Sequence, residues 1–504
     1  MTPPDQQRTA PGDHSQAPIR SDRFGHVETT GVEYIPESER DSSPANVFAV
    51  FFGGNLAFSV IIFGWLPISF GLGWRDAVTA SAVGLAIGTV LIAPMSLLGP
   101  RTGTNNVVSS GAHFGVRGRL IGSFLTLTFA LAYAAIAVWT AGDALVAAAH
   151  RAFGTPDNDL VLALGYGLIA AEIVIVASFG HATVVALQKF VIPVVGFLLL
   201  LGVFAFAGDF DAAKTGGDYL LGSYWPTWFF CVAVSVGGPL SYAPTLGDYT
   251  RRVSRTRFSD RSVWVASGAG VFAGLFVAAL FGIFTASTFE QLSDSYVRDL
   301  VAAAPGWYVL PIVIIALGGG LGQGVLNIYA SGLDLEALIP RLKRIHTTLI
   351  TSAIAIALLY IGVFVIDAVD AITAMTLILN GVAGPWVAIN LVGFLVARRG
   401  VYDPADLQVF NEGRRGGRYW YTAGWNLRAV VPFAIASVCG ILAVNTTVYV
   451  GPLANIAGGV DVSLIGSGLI AALGYLVTLT VWPEPIAPAA PSPESEPARD
   501  GVMA

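Results

Sequence analysis

Two amide side chains, Gln323 and Asn327, stand four residues apart in the apolar segment IVIIALGGGLGQGVLNIYASGLDLEAL. In a helix this spacing puts both amides on one face. Each amide offers N–H donors and a carbonyl acceptor, which suits the edge of a planar, polar heterocycle. The pair therefore predicts a hydrogen-bonding site. The alternative is helix packing through small residues and amides.

An aromatic side chain can stack on the face of such a ring. Tyr133 lies about 15 residues into a long apolar segment, which at about 1.5 Å per residue is close to mid-membrane. Trp139 lies nearer the far end of the same segment. Tyr133 is therefore the better stacking candidate, and packing or an interfacial position is the alternative for both.

Two carboxylates, Asp143 and Glu172, lie in or near apolar segments. Charges inside a membrane are costly and are often functional, so both are candidate proton carriers. We expect Asp143 to reach the outer interface as a solvated group. Glu172 lies deeper, and it is the candidate for proton coupling.

Other kinds of chemistry lack their residues. The sequence shows no metal-ligand cluster, no nucleotide loop and no catalytic triad, and the GGGLGQG run lies inside an apolar segment rather than after a soluble strand. Cys231 and Cys439 both lie in apolar runs, which indicates no disulfide framework. The net charge of −6 arises largely from acidic ends. We expect no enzyme, metal, cofactor, nucleic acid or obligate protein partner.

The elements that position these residues include two interrupted helices. Trp225 to Arg252 reads WPTWFFCVAVSVGGPLSYAPTLGDYTRR, in which glycines and prolines at 237–239 and 244 predict an unwound middle beside Ser241 and Tyr242. Unwound backbone at membrane depth is tolerated where it is buried in protein or lines a cavity. A plain proline kink is the alternative.

The first apolar segment has its own weak point at Gly53-Gly54, next to Asn55. The second break lies five segments later, in the sixth apolar segment. That spacing predicts an inverted repeat, with the binding site between the two breaks.

Composition places the chain in a membrane. Of its 504 residues, 54% are hydrophobic and only 12% are charged, and the mean hydropathy is +0.68. Apolar stretches of about 20 residues, each able to cross a ~30 Å hydrocarbon layer, recur along the chain. We predict an all-α polytopic protein with a transmembrane domain at 46–483 between disordered tails at 1–45 and 484–504. About twelve spans are expected, at 46–70, 76–98, 119–148, 159–179, 183–207, 225–250, 262–288, 306–336, 347–366, 370–397, 429–449 and 462–482.

Arginine and lysine distribution predicts the orientation. They cluster in the loops after spans two, six, eight and ten, whereas the alternate loops carry only isolated cations. The positive-inside rule therefore puts the even-numbered loops and both tails in the cytoplasm, and we expect the protein in the plasma membrane.

Several segments in order resemble the nucleobase:cation symporter-1 family, the cytosine, purine, allantoin and hydantoin permeases. They are the entry GVEYIPESERDSSPANVF, the loop GPRTGTNNVVSSGAHFGVRGR, the fifth-span start FGHATVVALQKFVIPVVG, the sixth-span exit SYAPTLGDYTR and the eighth-span end NIYASGLDLEAL. The resemblance implies a LeuT-like fold of two five-helix inverted repeats, at 46–207 and 225–397. Discontinuous spans one and six and two added helices at 429–482 belong to that fold.

The resemblance also implies roles for individual residues. Asn55 matches a polar group of the unwound first span, and Tyr133 matches the aromatic that stacks on the base. Gln323 matches the amide that bonds the base, and Ser241 and Tyr242 match the sixth-span lining. A second stacking aromatic of some members aligns with Pro239, and an asparagine of many members aligns with Ala137.

The resemblance bears on the coupling ion as well. The hydroxyls that complete the sodium site of sodium-dependent members align near Leu317 and Gly318, which cannot ligate through their side chains. We therefore expect a proton-coupled importer of a nucleobase or related heterocycle that works by alternating access. The alternatives are a sodium-coupled permease for a hydantoin, allantoin or vitamin-like substrate and, from another class, a polytopic enzyme or sensor.

Overall fold

The computed structural model describes residues 33–177, 181–213, 215–339, 342, 344–457 and 460–484, with the side chains of 181–189, 333, 337 and 344 excepted. Within them the regular structure is helical, apart from isolated bridges. The helices are α1 (Pro44–Gly53), α2 (Phe58–Ser69), α3 (Trp74–Ile92), α4 (Leu98–Thr102), α5 (Asn106–Phe114), α6 (Leu120–Phe153), α7 (Asp159–Ala177), α8 (His181–Phe206), α9 (Tyr224–Tyr242), α10 (Leu246–Thr250), α11 (Asp260–Ala286), α12 (Tyr296–Ala303), α13 (Val309–Leu338), α14 (Arg344–Ile361), α15 (Ala368–Val392), α16 (Pro404–Gln408), α17 (Leu427–Ala443) and α18 (Ser463–Val481).

The number of membrane-crossing helices agrees with the hydropathy pattern. Among the described residues, nine helices are long and apolar enough to cross a bilayer, and the bent pair α1–α2 makes a tenth. Two shorter apolar segments, Phe190–Phe206 and Leu427–Ala443, occupy the predicted fifth and eleventh spans. Helices dominate because lipid cannot satisfy free backbone N–H and C=O groups.

The first span is broken where the sequence predicts. Helices α1 and α2 meet at an angle of 60° across Gly54–Ala57. Asn55 lies inside the break and is fully buried. Gly53 and Gly54 hold no side chain that would stabilise a continuous helix, so the weakest helix formers mark the bend.

The second break lies later than predicted. Helix α9 continues through Gly237, Gly238 and Pro239, and the helix ends only before a turn at 243–245. The glycines permit close packing here, since a Cβ on Gly237 would lie 2.4 Å from Thr376 of α15. Ala243 keeps helical dihedral angles, and α9 ends at Pro244 because proline has no N–H with which to continue the helical hydrogen bonds.

One end of the bundle collects the loops after the even-numbered spans, and we call it the arginine-rich face. Arg101 pairs there with Asp260 at 2.6 Å and donates to the Gly400 carbonyl at 2.8 Å. Arg398 pairs there with Glu484. The structure thus groups the described loops as the alternation of charge predicts.

The described part of the N-terminal region differs from the predicted tail. The Ile35 N–H donates to Gly103 at 2.9 Å, and the Ser42 N–H donates to Arg252 at 3.0 Å. The Glu37 carboxylate accepts from the Ser254 hydroxyl at 2.7 Å. Residues 33–43 therefore form an ordered strap across the arginine-rich face. The remainder of the two predicted tails, 1–32 and 485–504, lies outside the described residues.

Helices α6 and α13 pack closely and form one wall of the centre. A Cβ on Gly320 would lie 2.9 Å from the Ala141 Cβ, and one on Gly319 would lie 3.1 Å from the Ala57 Cα at the first break. Part of the glycine run in α13 thus serves helix packing, as small residues commonly do in membranes. Helices α17 and α18 pack against each other and against α15, outside this centre.

Candidate functional site

A pocket lies between the two breaks and the α6–α13 wall. Its empty volume is about 800 Å³ when the open mouth is included. Six residues predicted from the sequence line it together: Asn55, Tyr133, Ser241, Tyr242, Gln323 and Asn327. The fold therefore brings the whole predicted substrate set into one place.

Asn55 and Tyr242 join the two breaks directly. The Tyr242 hydroxyl donates to Asn55 Oδ1 at 2.8 Å, and Asn55 Nδ2 donates to the Phe51 carbonyl at 2.6 Å. The Phe51 ring meets the Tyr242 ring edge-on at 5.7 Å. Both polar atoms of Asn55 thus have protein partners, which makes its amide part of the frame of the pocket.

Phe63 of α2 is the aromatic ring of the pocket lining that lies beside Tyr133. Its centroid lies 6.0 Å from that of Tyr133, with the planes inclined by 44°. Sequence reasoning missed Phe63 because a phenylalanine in an apolar run carries no distinguishing signal. Pro239, the aligned position for a second stacking residue, faces Gly88 of α3 instead. Ala137 is fully buried, and its carbonyl faces Gly320.

The polar side chains on the other walls of the pocket differ in whether they have a hydrogen-bond partner in the protein. The Ser241 hydroxyl donates to the Gly238 carbonyl at 2.7 Å and lies beside the Tyr133 hydroxyl. The Gln323 side chain lies beside the Tyr242 hydroxyl. Asn327 Nδ2 is buried and has no hydrogen-bond partner among the described residues. A buried donor without a partner is costly, so this atom is the one best placed to receive a ligand acceptor.

The pocket extends from Tyr133 toward the arginine-rich face. Its lining there includes Thr126 and Ala130 of α6, Thr245 at the second break and Ala330 of α13. Toward the opposite face, α12 packs on α2 through Tyr296, whose ring lies 6.1 Å from Phe58 and 6.3 Å from Trp65. The site is therefore covered at one end of the bundle.

Of the two carboxylates, Asp143 is buried and Glu172 is exposed, which is the reverse of what the sequence predicts. Glu172 is exposed on the outer surface of α7 and does not line the pocket, so the structure does not bring it to the site. Asp143 is only 2% exposed and accepts hydrogen bonds from Tyr166 and Ser295. The expectation that Asp143 is solvated was wrong, because α12 covers the end of α6.

The position beside the first break carries no hydroxyl group. Gly319 approaches Leu56 and Ala57, and a Cβ there would lie 3.4 Å from the Leu56 carbonyl oxygen. Gly318, one of the two aligned positions, faces Val191 and Val195 of α8. A hard cation at this place would therefore depend on backbone oxygens and water.

Comparison with known proteins agrees with this architecture. Residues 34–466 match the family model for permeases for cytosine/purines, uracil, thiamine and allantoin. YxlA of Bacillus subtilis, named as a purine-cytosine permease, is 25% identical over 90% of this chain and 96% of its own. The purine-cytosine permease fcyB of Emericella nidulans is 24% identical over 90% of this chain and 88% of its own.

Solved structures show the same fold. Mhp1, a nucleobase-cation-symport-1 transporter, gives a TM-score of 0.71 in a closed conformation with bromovinylhydantoin, at 16% identity over 90% of this chain and 95% of its own. Its inward-facing conformation gives a TM-score of 0.72, at 17% identity over 90% and 94%. The fold is thus the LeuT-like arrangement with discontinuous first and sixth spans. With a family match that spans most of its length, this multi-pass membrane protein belongs to the nucleobase-cation-symport-1 family of permeases.

Proposed function

We propose that this chain is a secondary active importer of a nucleobase or a related small heterocycle. It takes up its solute by alternating access and is driven by protons. The observation that carries the proposal is the unpartnered Asn327 Nδ2 in a pocket that is also lined by Gln323 and four aromatic rings. A planar ring with a carbonyl or ring-nitrogen acceptor satisfies that donor, and its faces stack on the aromatics.

The choice of a nucleobase-like solute also has support from relatives. YxlA and fcyB carry the name purine-cytosine permease. A hydantoin remains the second candidate, because Mhp1 holds bromovinylhydantoin in a structure of the same fold. Both candidates are flat heterocycles with carbonyl groups, which the amide edge of the pocket suits.

Proton coupling is supported by the position beside the first break. Gly319 offers no side-chain oxygen opposite the Leu56 carbonyl. Sodium needs several oxygen ligands, so a position without a side-chain oxygen beside the first break weakens such a site. A proton needs no ligand cage.

We further propose that the arginine-rich face and both termini lie in the cytoplasm and that the protein resides in the plasma membrane. The grouping of Arg101, Arg251 and Arg398 at one end supports this orientation by the positive-inside rule. The partners of the importer are then its solute, its coupling cation and the lipid bilayer.

Counterflow into proteoliposomes tests the solute. Proteoliposomes that contain the purified protein are preloaded with adenine, cytosine, uracil, hypoxanthine, allantoin or a 5-substituted hydantoin, and entry of the same solute in labelled form is followed. We expect exchange with one or more nucleobases and loss of exchange in Asn327→Ala. Exchange with the hydantoin alone supports the second candidate, and no exchange with any member of the panel contradicts the proposal.

Ion replacement tests the driving force separately. With sodium replaced by choline, initial uptake of the accepted solute should stay nearly unchanged, whereas collapse of the proton gradient should abolish accumulation. Uptake that rises steeply with external sodium at fixed pH would refute proton coupling and leave the solute assignment intact.

A further inference from the structure

Helix α12 forms a lid over the end of the bundle opposite the arginine-rich face. Tyr296 at its start is fully buried, and its hydroxyl lies 2.7 Å from the Thr285 hydroxyl of α11. Val297, Leu300 and Val301 are also buried. The helix has eight residues and packs on α2, α6 and α11. A short helix held mainly by these contacts can detach as a unit without unfolding the spans.

Asp143 is the point at which this lid meets α6. Its Oδ2 accepts from the Ser295 hydroxyl at 2.5 Å, and its Oδ1 accepts from the Tyr166 hydroxyl at 2.6 Å. Ser295 also caps α12, since its side chain accepts from the Arg298 N–H. One carboxylate therefore holds both the neighbouring span and the first residue of the lid.

No cation forms an ion pair with Asp143 within the described part of the chain. Arg298 and Asp157 are the charged groups within electrostatic range, and they pair with each other. The elements around Asp143 also carry other titratable or charged groups, namely Arg151 on α6, Asp157 after α6, Tyr166 on α7, Tyr360 on α14, Asp294 before α12, and Tyr296, Arg298 and Asp299 on α12. The direct partners of the carboxylate are neutral hydroxyls.

We propose that Asp143 is a proton-binding site that controls the opening of the α12 lid. When α12 lifts, Ser295 leaves and water reaches the carboxylate, so its charge is well solvated. When α12 closes, the same charge must be desolvated without a paired cation, which is costly. Proton binding removes that cost, so proton binding and lid closure favour each other through linkage.

The proposal goes beyond the proposed function, because it concerns a proton site far from the pocket and does not depend on the solute or the coupling ion. Asp143 lies ten residues after Tyr133 along α6, a distance of about 15 Å at about 1.5 Å per residue. Protons on the lid side therefore set how often the pocket opens to that side.

Hydrogen exchange of the intact, solute-free transporter tests the proposal. Protection of the backbone amides of Tyr296–Ala303, corrected for intrinsic exchange, is measured from about pH 5.5 to about pH 8.5. In the wild type, protection should rise as pH falls, by at most about tenfold per pH unit for one proton. In Asp143→Asn, which is neutral at every pH, protection should stay high with no pH dependence. Glu412→Gln, which neutralises an exposed carboxylate on the arginine-rich face, is the control and should keep the wild-type profile.

Two results would overturn the proposal. One is an Asp143→Asn protein whose α12 retains the wild-type pH profile, which would assign the proton to another group. The other is an Asp143→Asn protein in which α12 loses protection at every pH while Ser463–Val481 of α18 stays protected. That result would mean that Asp143 only stabilises the packing of α12. Ser295→Ala gives an independent check, since it should lower protection at every pH and retain the slope.

Discussion

The buried ion pair between Arg398 and Glu484 provides a quantitative test of the arginine-rich face. The side chains are 7% and 4% exposed. The Glu484 carboxylate also accepts from Asn426 Nδ2 at 2.6 Å and from the Tyr475 hydroxyl at 3.0 Å. Glu484→Ala leaves the guanidinium without its counter-charge and removes the acceptor from two further donors. Loss of one partner of a buried pair costs about 3–5 kcal/mol.

A matched pair on the same face supplies the control. Glu412 and Arg414 also form an ion pair, but their side chains are 49% and 58% exposed. Exposed pairs contribute about 0–1 kcal/mol, so Glu412→Ala should change stability little. Glu484→Gln, which keeps an acceptor for Asn426 and Tyr475, should lie between the two alanine variants.

The assay is the free energy of unfolding of the purified protein in detergent, followed by helix content during denaturant titration. A loss of stability in Glu484→Ala no larger than that in Glu412→Ala would contradict a costly unpaired charge at Arg398. It would mean that water reaches Arg398 once Glu484 is removed.

Four further predictions concern the site, pH and topology. Gln323→Ala should weaken solute affinity, because it leaves buried polar groups unpaired at about 1–3 kcal/mol; a folded variant with unchanged affinity would exclude the contact. Tyr133→Phe should support transport while Tyr133→Ala does not, if stacking is the role of the ring; equal loss in both would assign the role to the hydroxyl. Burial lowers the pKa of His113, in α5 outside the spans, from 6.5 to about 3. The folded protein therefore loses stability as pH falls from about 6.5 toward 3, because the unfolded chain binds a proton at His113 that the folded protein does not. The free energy of unfolding should fall by up to about 1.4 kcal/mol per pH unit. His113→Asn should therefore flatten the stability profile below about pH 6.5, and an unchanged slope would argue against it. Arg255→Cys should react with an impermeant thiol reagent only after cells are permeabilised, and reaction in intact cells would reject the proposed orientation.

Hydropathy and turn residues predicted the spans because their physics is local. Each apolar run must close its own backbone hydrogen bonds in lipid, so its length decides whether it crosses. Gly53 and Gly54 mark the first bend for the same reason. The second break lies later than predicted, because contacts with α3 and α15 hold Gly237 and Pro239 within α9. The helix therefore ends only at Pro244.

Pocket-lining residues were predictable where a polar residue stands out in an apolar run. Gln323, Asn327 and Asn55 do so, and all line the pocket. Phe63 does not stand out, and its place in the pocket follows only from the direction in which α2 leaves the first break. The sequence also gave no sign that residues 33–43 pack against the loops at Gly103 and Arg252, since their polar composition is typical of a tail.

The all-helical, membrane-spanning class, the grouping of loops by charge and the polar side chains of the pocket could be predicted from residue type and spacing along the chain. Which carboxylate is buried could not be predicted in this way, because it depends on the packing of distant helices. Asp143 and Glu172 both lie in apolar helices, but α12 covers the first and nothing in the described chain covers the second. Burial depends on which helix face meets a neighbour, and that neighbour is distant in sequence, so no local pattern encodes it.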